Sequence, residues 1–140
     1  YIFGERAMSG LLLVEDNETF RMYLTEILRD HFPAMDIEEA SDGSEARGAI
    51  DKHSPDLIFM DINLPGESGL ELTRQIKARY PDVVVAILTA YDLPEYRAVA
   101  SQAGADYFMV KGSAIIDDIL DLIQKIAAEK NGGSERHWNA

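Results

Sequence analysis

The chain has 140 residues with a formal net charge of −12, and it is 46% hydrophobic and 27% charged with no cysteine. That length allows one domain around a single core. The missing thiols exclude disulfides, thiol catalysis and zinc–thiolate sites and suit a reducing compartment such as the cytoplasm. The surplus of acids argues against direct binding of DNA or RNA, since affinity for a phosphate backbone rests on Lys and Arg. It favours cations and basic partner surfaces instead.

In chain order, residues 1–9 (YIFGERAMS) lack periodicity and read as a leader-like or disordered extension, with Met8 as a natural start. Leu11–Val14 (LLLV) is a continuous apolar run, as buried parallel strands are, and it runs into Glu15-Asp16. Phe20, Leu24, Ile27 and Leu28 fall at helical spacing and predict an amphipathic first helix ending near Phe32-Pro33. Met35–Ala40 alternates apolar and acidic residues, which predicts a half-exposed edge strand. A second helix follows Ser41-Asp42-Gly43 and fades at His53-Ser54-Pro55. Leu57–Met60 (LIFM), read as a buried strand, runs into Asp61. The loop after it carries Pro65, Gly66 and Gly69, the punctuation of a turn.

A third helix extends to about Tyr80, where Pro81 closes it. Val83–Leu88 predicts a further buried strand running into Thr89. Leu93-Pro94-Glu95 opens a fourth helix, with proline where its missing N–H costs little; this helix is rich in alanine and stops at Gly104. Tyr107–Val110 (YFMV), again read as a buried strand, runs into Lys111. A last helix is expected to place Ile116, Ile119, Leu120, Ile123 and Ile126 on its inner face. Asn131-Gly132-Gly133 stops it, and residues 131–140, with His137 and Trp138, read as a flexible tail or the start of a linker. No apolar stretch approaches the roughly 18 residues of a membrane span.

Five βα units without repeats predict an α/β doubly wound (βα)5 three-layer sandwich on a parallel five-stranded sheet. Right-handed crossovers with helices on both faces favour the order 2-1-3-4-5. In that order Asp16, Asp61 and Thr89 approach one another at the carboxyl ends of the central strands, where open α/β sheets place ligands. Glu15, Asp16 and Asp61 form an all-oxygen acidic pocket suited to a hard ion, so Mg2+ outranks zinc, and calcium lacks the spaced acids of its usual loop. An aspartate can serve as a nucleophile toward phosphorus. Lys111 brings a point charge to the phosphoryl oxygens, Thr89 a hydrogen bond, and the amide of small Ala90 a further approach. Taken singly, each has an ordinary role: the acid pair as a helix cap, Asp61 as a turn former, Thr89 as a backbone-bonded hydroxyl, Lys111 as a solvated cation. Together, at successive strand ends, they point to phosphoryl chemistry.

LLLVEDN (Leu11–Asn17), PDLIFMDINLPGESGLEL (Pro55–Leu72), VVVAILTAYD (Val83–Asp92) and AGADYFMVKGS (Ala103–Ser113) resemble the receiver domain of two-component response regulators, over roughly residues 10–130. The resemblance implies the flavodoxin-like, CheY-like fold, and the 2-1-3-4-5 order is partly what it implies. It makes Asp61 the acceptor of a phosphoryl group from a sensor histidine kinase or phosphotransfer protein. Asp16 and Asp61 would ligate Mg2+ directly, Glu15 through water, and Asn63 by its main-chain carbonyl. Thr89 and Lys111 would hold the phosphoryl oxygens, and Thr89 with Phe108 would form the switch. Such a domain assists its own phosphorylation and dephosphorylation without being a turnover enzyme. Its partners would be the kinase and its own output domain or a second receiver, with neither nucleic acid nor membrane.

The segment from Leu88 to Ser113 is similar to receivers of LuxR/NarL/FixJ-type transcriptional regulators. Two departures stand out. Gly112 replaces the proline that often follows the lysine, so the Lys111–Gly112 bond is expected to be trans, and Glu15-Asp16 replaces the commoner Asp-Asp pair. Two alternatives belong to other classes: a phosphorylation-independent interaction module of the same fold, and an aspartate-nucleophile phosphatase. The phosphatase lacks a general acid two residues beyond Asp61, where Asn63 stands.

Overall fold

The computed structural model describes Met8 and residues 10–131. Apart from Met8 the expected leader, and apart from Asn131 the expected tail with His137 and Trp138, lie outside these residues. The strands are β1 (Gly10–Val14), β2 (Asp36–Ala40), β3 (Leu57–Met60), β4 (Val84–Thr89) and β5 (Tyr107–Val110). The helices are α1 (Glu18–His31), α2 (Gly43–His53), α3 (Gly69–Arg79), α4 (Pro94–Ala103) and α5 (Ile115–Asn131). The strands form one parallel sheet in the order β2-β1-β3-β4-β5, the expected 2-1-3-4-5.

Strand side chains alternate between two core layers, because successive Cβ atoms point to opposite faces. Leu12, Val14, Ile58, Met60, Val85 and Ile87 meet Ile50 of α2 and Leu72 and Ile76 of α3. Leu11, Leu13, Leu57, Phe59, Ala86 and Leu88 meet Leu24 and Leu28 of α1 and Ile119 and Ile123 of α5. Burial on both faces is why the central strands read as unbroken apolar runs. Met8 is buried in the α1/α5 layer and so belongs to the packed body.

Helix starts follow local chemistry. Asn17 Oδ1 accepts from Phe20 N at 2.9 Å and Asp42 Oδ1 from Glu45 N at 2.8 Å. Glu45 reaches back to the amide of Ser41 at 2.8 Å, much as in a capping box. Pro94 stands in the first turn of α4, which has no side-chain cap.

Three details differ from expectation, and one ordinary alternative is excluded. The YFMV run is half-buried at all its positions, because the strand order puts β5 at an edge, covered on one side only by β4. The inner stripe of α5 is Ile115, Ile119, Leu122, Ile123 and Ile126; Ile116 and Leu120 sit half-buried on its flank, a fraction of a turn away. The loop after Asp61 contains a small antiparallel ribbon, Asn63–Leu64 with Glu67–Ser68, turning through Gly66 at φ 79°. The acid pair is not the cap of α1, since Asn17 has that role. The Lys111–Gly112 bond is trans, as expected.

Gly69 is more than a turn former. It is the first residue of α3, and its amide bonds Ile62 O at 2.7 Å. A Cβ there would run into the Asp61 carbonyl oxygen and lie 3.1 Å from Ile62 Cα. Helix propensity favours Ala over Gly by roughly 1 kcal/mol, yet backbone is the obstacle here and cannot step aside. Gly69→Ala is therefore expected to destabilise the fold by about 1–3 kcal/mol, read as a lower urea midpoint; an unchanged or higher midpoint would contradict the close approach.

Candidate functional site

The carboxyl edge of the sheet is levelled by hydrogen bonds that continue the ladder one residue past each strand. Glu15 N bonds Ala40 O at 2.9 Å, Asp61 N bonds Val14 O at 3.0 Å, and Lys111 N bonds Thr89 O at 2.7 Å. Each of these three is thus fixed by the last residue of a neighbouring strand. Glu15 and Asp61 are buried while Asp16 is exposed. One oxygen from each of Glu15, Asp16 and Asp61 lies within 4.8 Å of the others.

Lys111 enters this acidic group from β5. Its Nζ is 2.6 Å from Glu15 Oε1 and 3.9 Å from Asp61 Oδ2. Glu15 Oε2 accepts from Asn17 N at 3.1 Å, and Asp61 Oδ1 has a long contact of 3.4 Å with Asn63 N. Burial, reinforced by the neighbouring Glu15 carboxylate, pushes the Asp61 carboxyl up to about 7; Lys111 and the Asn63 amide oppose this less strongly. One ammonium does not offset three carboxylates. The donors are oxygens only, and exposed Asp16 opens the group to solvent, so the residues fit a hard divalent cation that keeps part of its water shell.

Thr89 ends β4 and is 1% exposed, with its Oγ1 accepting from Tyr91 N at 3.1 Å. That bond uses the oxygen as acceptor and leaves the hydroxyl proton for another partner. Phe108 lies three residues before Lys111 and outside the polar group. It is half-buried against the α2/α3 layer, opposite Ile87 in the ladder. The Arg97 guanidinium covers its ring at 4.6 Å from the centroid, and Arg97 Nε is itself 2.6 Å from Asp92 Oδ1. Thr89 and Phe108 share one face of the sheet, since Thr89 is two residues from Ile87.

The structure therefore gathers Glu15, Asp16, Asp61 and Lys111, sets Thr89 on the adjoining strand end, and starts the ribbon at Asn63. Two contacts at the site are not legible in the sequence, one from Arg21 and one from Phe20, which reads there only as part of the apolar face of α1. Arg21 Nη1 donates to the Glu15 carbonyl at 2.7 Å and its Nε to Glu39 at 3.1 Å, pinning the acid loop to α1 and β2. The Phe20 ring lies under the Lys111 ammonium at 4.7 Å. An arginine and an aromatic in the first turn after an acid pair were the only signal.

Comparison with known proteins identifies the family of this fold. DegU of Brevibacillus brevis, a transcriptional regulatory protein, is 31% identical over 127 residues, 91% of this chain and 52% of that protein. A LuxR-family two-component response regulator from Aurantimonas sp. SI85-9A1 superposes with a TM-score of 0.75 at 29% identity, covering 86% of each chain. The response regulator TrrA of Thermotoga maritima, solved in complex with Mg(2+)-BeF, gives 0.74 at 33% identity over 85% of this chain and 99% of that one. The chain spans about half the length of the curated relatives it matches. Residues 11–125 match the response regulator receiver domain, and with this strand order and acid–lysine group at the strand ends, the chain belongs to that family.

Proposed function

We propose that this chain is a phosphoacceptor switch: Asp61 takes a phosphoryl group from a histidine kinase or phosphotransfer protein, and the change alters contacts with an output domain. The observation that carries the reading is the Asp61 carboxylate, set at the end of β3 within 4.8 Å of the Glu15 and Asp16 oxygens and 3.9 Å from the Lys111 ammonium. The Mg(2+)-BeF complex of TrrA supports it, as that protein is similar over nearly its whole length.

In the transfer, an Asp61 oxygen attacks phosphorus, the P–O bond forms as the P–N bond to the donor imidazole breaks, and the electron pair leaves with the imidazole. Asp16, Asp61, the Asn63 carbonyl and, through water, Glu15 would hold Mg2+, which when bound offsets the charge of the phosphoryl oxygens. Lys111 gives up Glu15 for a phosphoryl oxygen. Thr89 donates its hydroxyl proton to another, and Phe108, on the same face, turns into the space released. A phosphoryl group adds about −1.5 to −2 charge and three acceptors, enough to draw both switch residues. The altered surface is that of α4, β5 and α5.

The receiver spans residues 10–130. The names of the half-matched relatives, transcriptional regulators among them, favour a DNA-binding output outside this chain. The domain is a phosphoacceptor, not a turnover enzyme, and acts in the cytoplasm. Among the described residues no helix is long and apolar enough to cross a membrane.

Acetyl phosphate with Mg2+ is expected to give one base- and hydroxylamine-labile phosphate on Asp61, seen by intact-mass and peptide analysis. Asp61→Asn abolishes it; undiminished labelling in that variant would refute the assignment. Lys111→Ala keeps the fold but slows labelling by about tenfold or more, and a full rate would exclude its role at the phosphate.

Stability offers a separate check without any phosphate. Unfolded, Asp61 ionises near 3.8, whereas in the folded chain it does so near 7. Between those values unfolding releases a proton, so this group's contribution falls as pH rises through the window and is flat above it. Asp61→Asn lacks the penalty. In EDTA it should melt a few degrees higher than the parent at pH 8, with the gain shrinking toward pH 4.5; a gain that does not depend on pH would mean that the buried charge of Asp61 is not its source.

A further inference from the structure

We propose that Phe20 is a positioning residue for Lys111, a surface on which the ammonium moves from Glu15 to the phosphoryl group. The inference rests on the phosphoacceptor reading and adds to it a residue outside the acid, hydroxyl and lysine set. Lys111 has a flexible four-carbon stem, and Gly112 after it gives little restraint. A Cβ at Gly112 would meet nothing within 4 Å, so no side chain packs at that position and the loop is held there by Ile115 N bonding Gly112 O at 3.2 Å. The backbone bond from Lys111 N to Thr89 O fixes the base of the side chain.

At its tip the ammonium is drawn to the wrong acid for chemistry. It stands 2.6 Å from Glu15 and 3.9 Å from Asp61, and to serve a phosphoryl group on Asp61 it must leave the closer partner. An ion pair alone would release the side chain into many rotamers at that moment. The face of Phe20, 4.7 Å away, attracts the cation whichever oxygen it holds, because the ring quadrupole acts across the face and competes with neither carboxylate. Phe20 is itself held, its side chain by packing against the α1/α5 layer and its backbone by the helix cap. Phe20 N bonds Asn17 Oδ1 at 2.9 Å, and Asn17 N bonds Glu15 Oε2 at 3.1 Å. One helix cap thus holds both the backbone that bears the ring and the carboxylate between which Lys111 lies.

The test uses the chain with Phe20→Leu, which keeps apolar bulk, and Phe20→Tyr, which keeps the ring, each shown to be folded by its melting transition. Without metal or phosphate, the Lys111 Hε resonances of the parent should be moved upfield by the ring, unchanged in Phe20→Tyr and lost in Phe20→Leu. With acetyl phosphate and Mg2+, Phe20→Leu should be labelled about three- to tenfold more slowly, while Phe20→Tyr runs near the parent rate and Mg2+ affinity is the same in all three. In a Lys111→Ala background, Phe20→Leu should cost nothing more. Equal slowing by Leu and Tyr, or a full effect of Phe20→Leu without the lysine, overturns the proposal and leaves Phe20 a packing residue. A parent chain that takes no phosphate would sink the phosphoacceptor reading instead, and the resonance shifts would then decide the placement of Lys111 by themselves.

Discussion

Like charge confined in little water is the constraint around which the rest of this molecule is arranged. Glu15 and Asp61 are both buried, Asp16 stands beside them, and the cation among them is Lys111. Carboxylates so close remain ionised together only if a counter-charge intervenes; otherwise one of them takes up a proton. The fold itself does not need this group, since its cohesion comes from the two apolar layers on either side of the sheet. The acids are a local cost that those layers offset, and the cost is what gives the edge its appetite for positive charge.

Holding such a group together requires that three chain segments arrive at one height. The parallel ladder supplies this by running one rung past the strands, so that backbone atoms and not loops fix Glu15, Asp61 and Lys111. The crossings behind the edge are equally tight. Gly69 lets α3 start directly against the Asp61 carbonyl, and Arg21 ties the acid loop to α1 and β2. In the proposed switch the moving parts are side chains: a lysine with two acids in reach, a hydroxyl with a spare proton, and a ring covered by a guanidinium.

Most of the architecture could be read from the chain because burial on both faces writes itself as runs of Leu, Ile and Val. Each run stops at a polar residue, and the polar residues are those the structure collects. What escaped was whatever depends on neighbours. YFMV carries the same apolar signature as LIFM, but only the strand order shows that its outer side has no neighbouring strand. The inner stripe of α5 differs from the one expected by part of a turn, because Ile and Leu occupy both its centre and its flank. Gly69 looked like any turn glycine until a backbone oxygen was found against it. The partnership of Phe20 with Lys111 joins residues 91 apart in the chain, and no local pattern encodes it.

The two ends of the described body meet on the opposite rim. Gly10 N donates to Asp56 Oδ2 at 3.2 Å, and Lys130 Nζ lies 3.4 Å from Asp56 Oδ1. Asp56 precedes β3 just as Asp61 follows it, so a strand's length, on the order of 15 Å at about 3.3 Å per residue, separates this junction from the acids. A segment leaving the described body at either end starts from the quiet side of the molecule. News of an event at the acids reaches it by a shift carried through the body or by folding back over the surface, not by direct touch at the point of attachment.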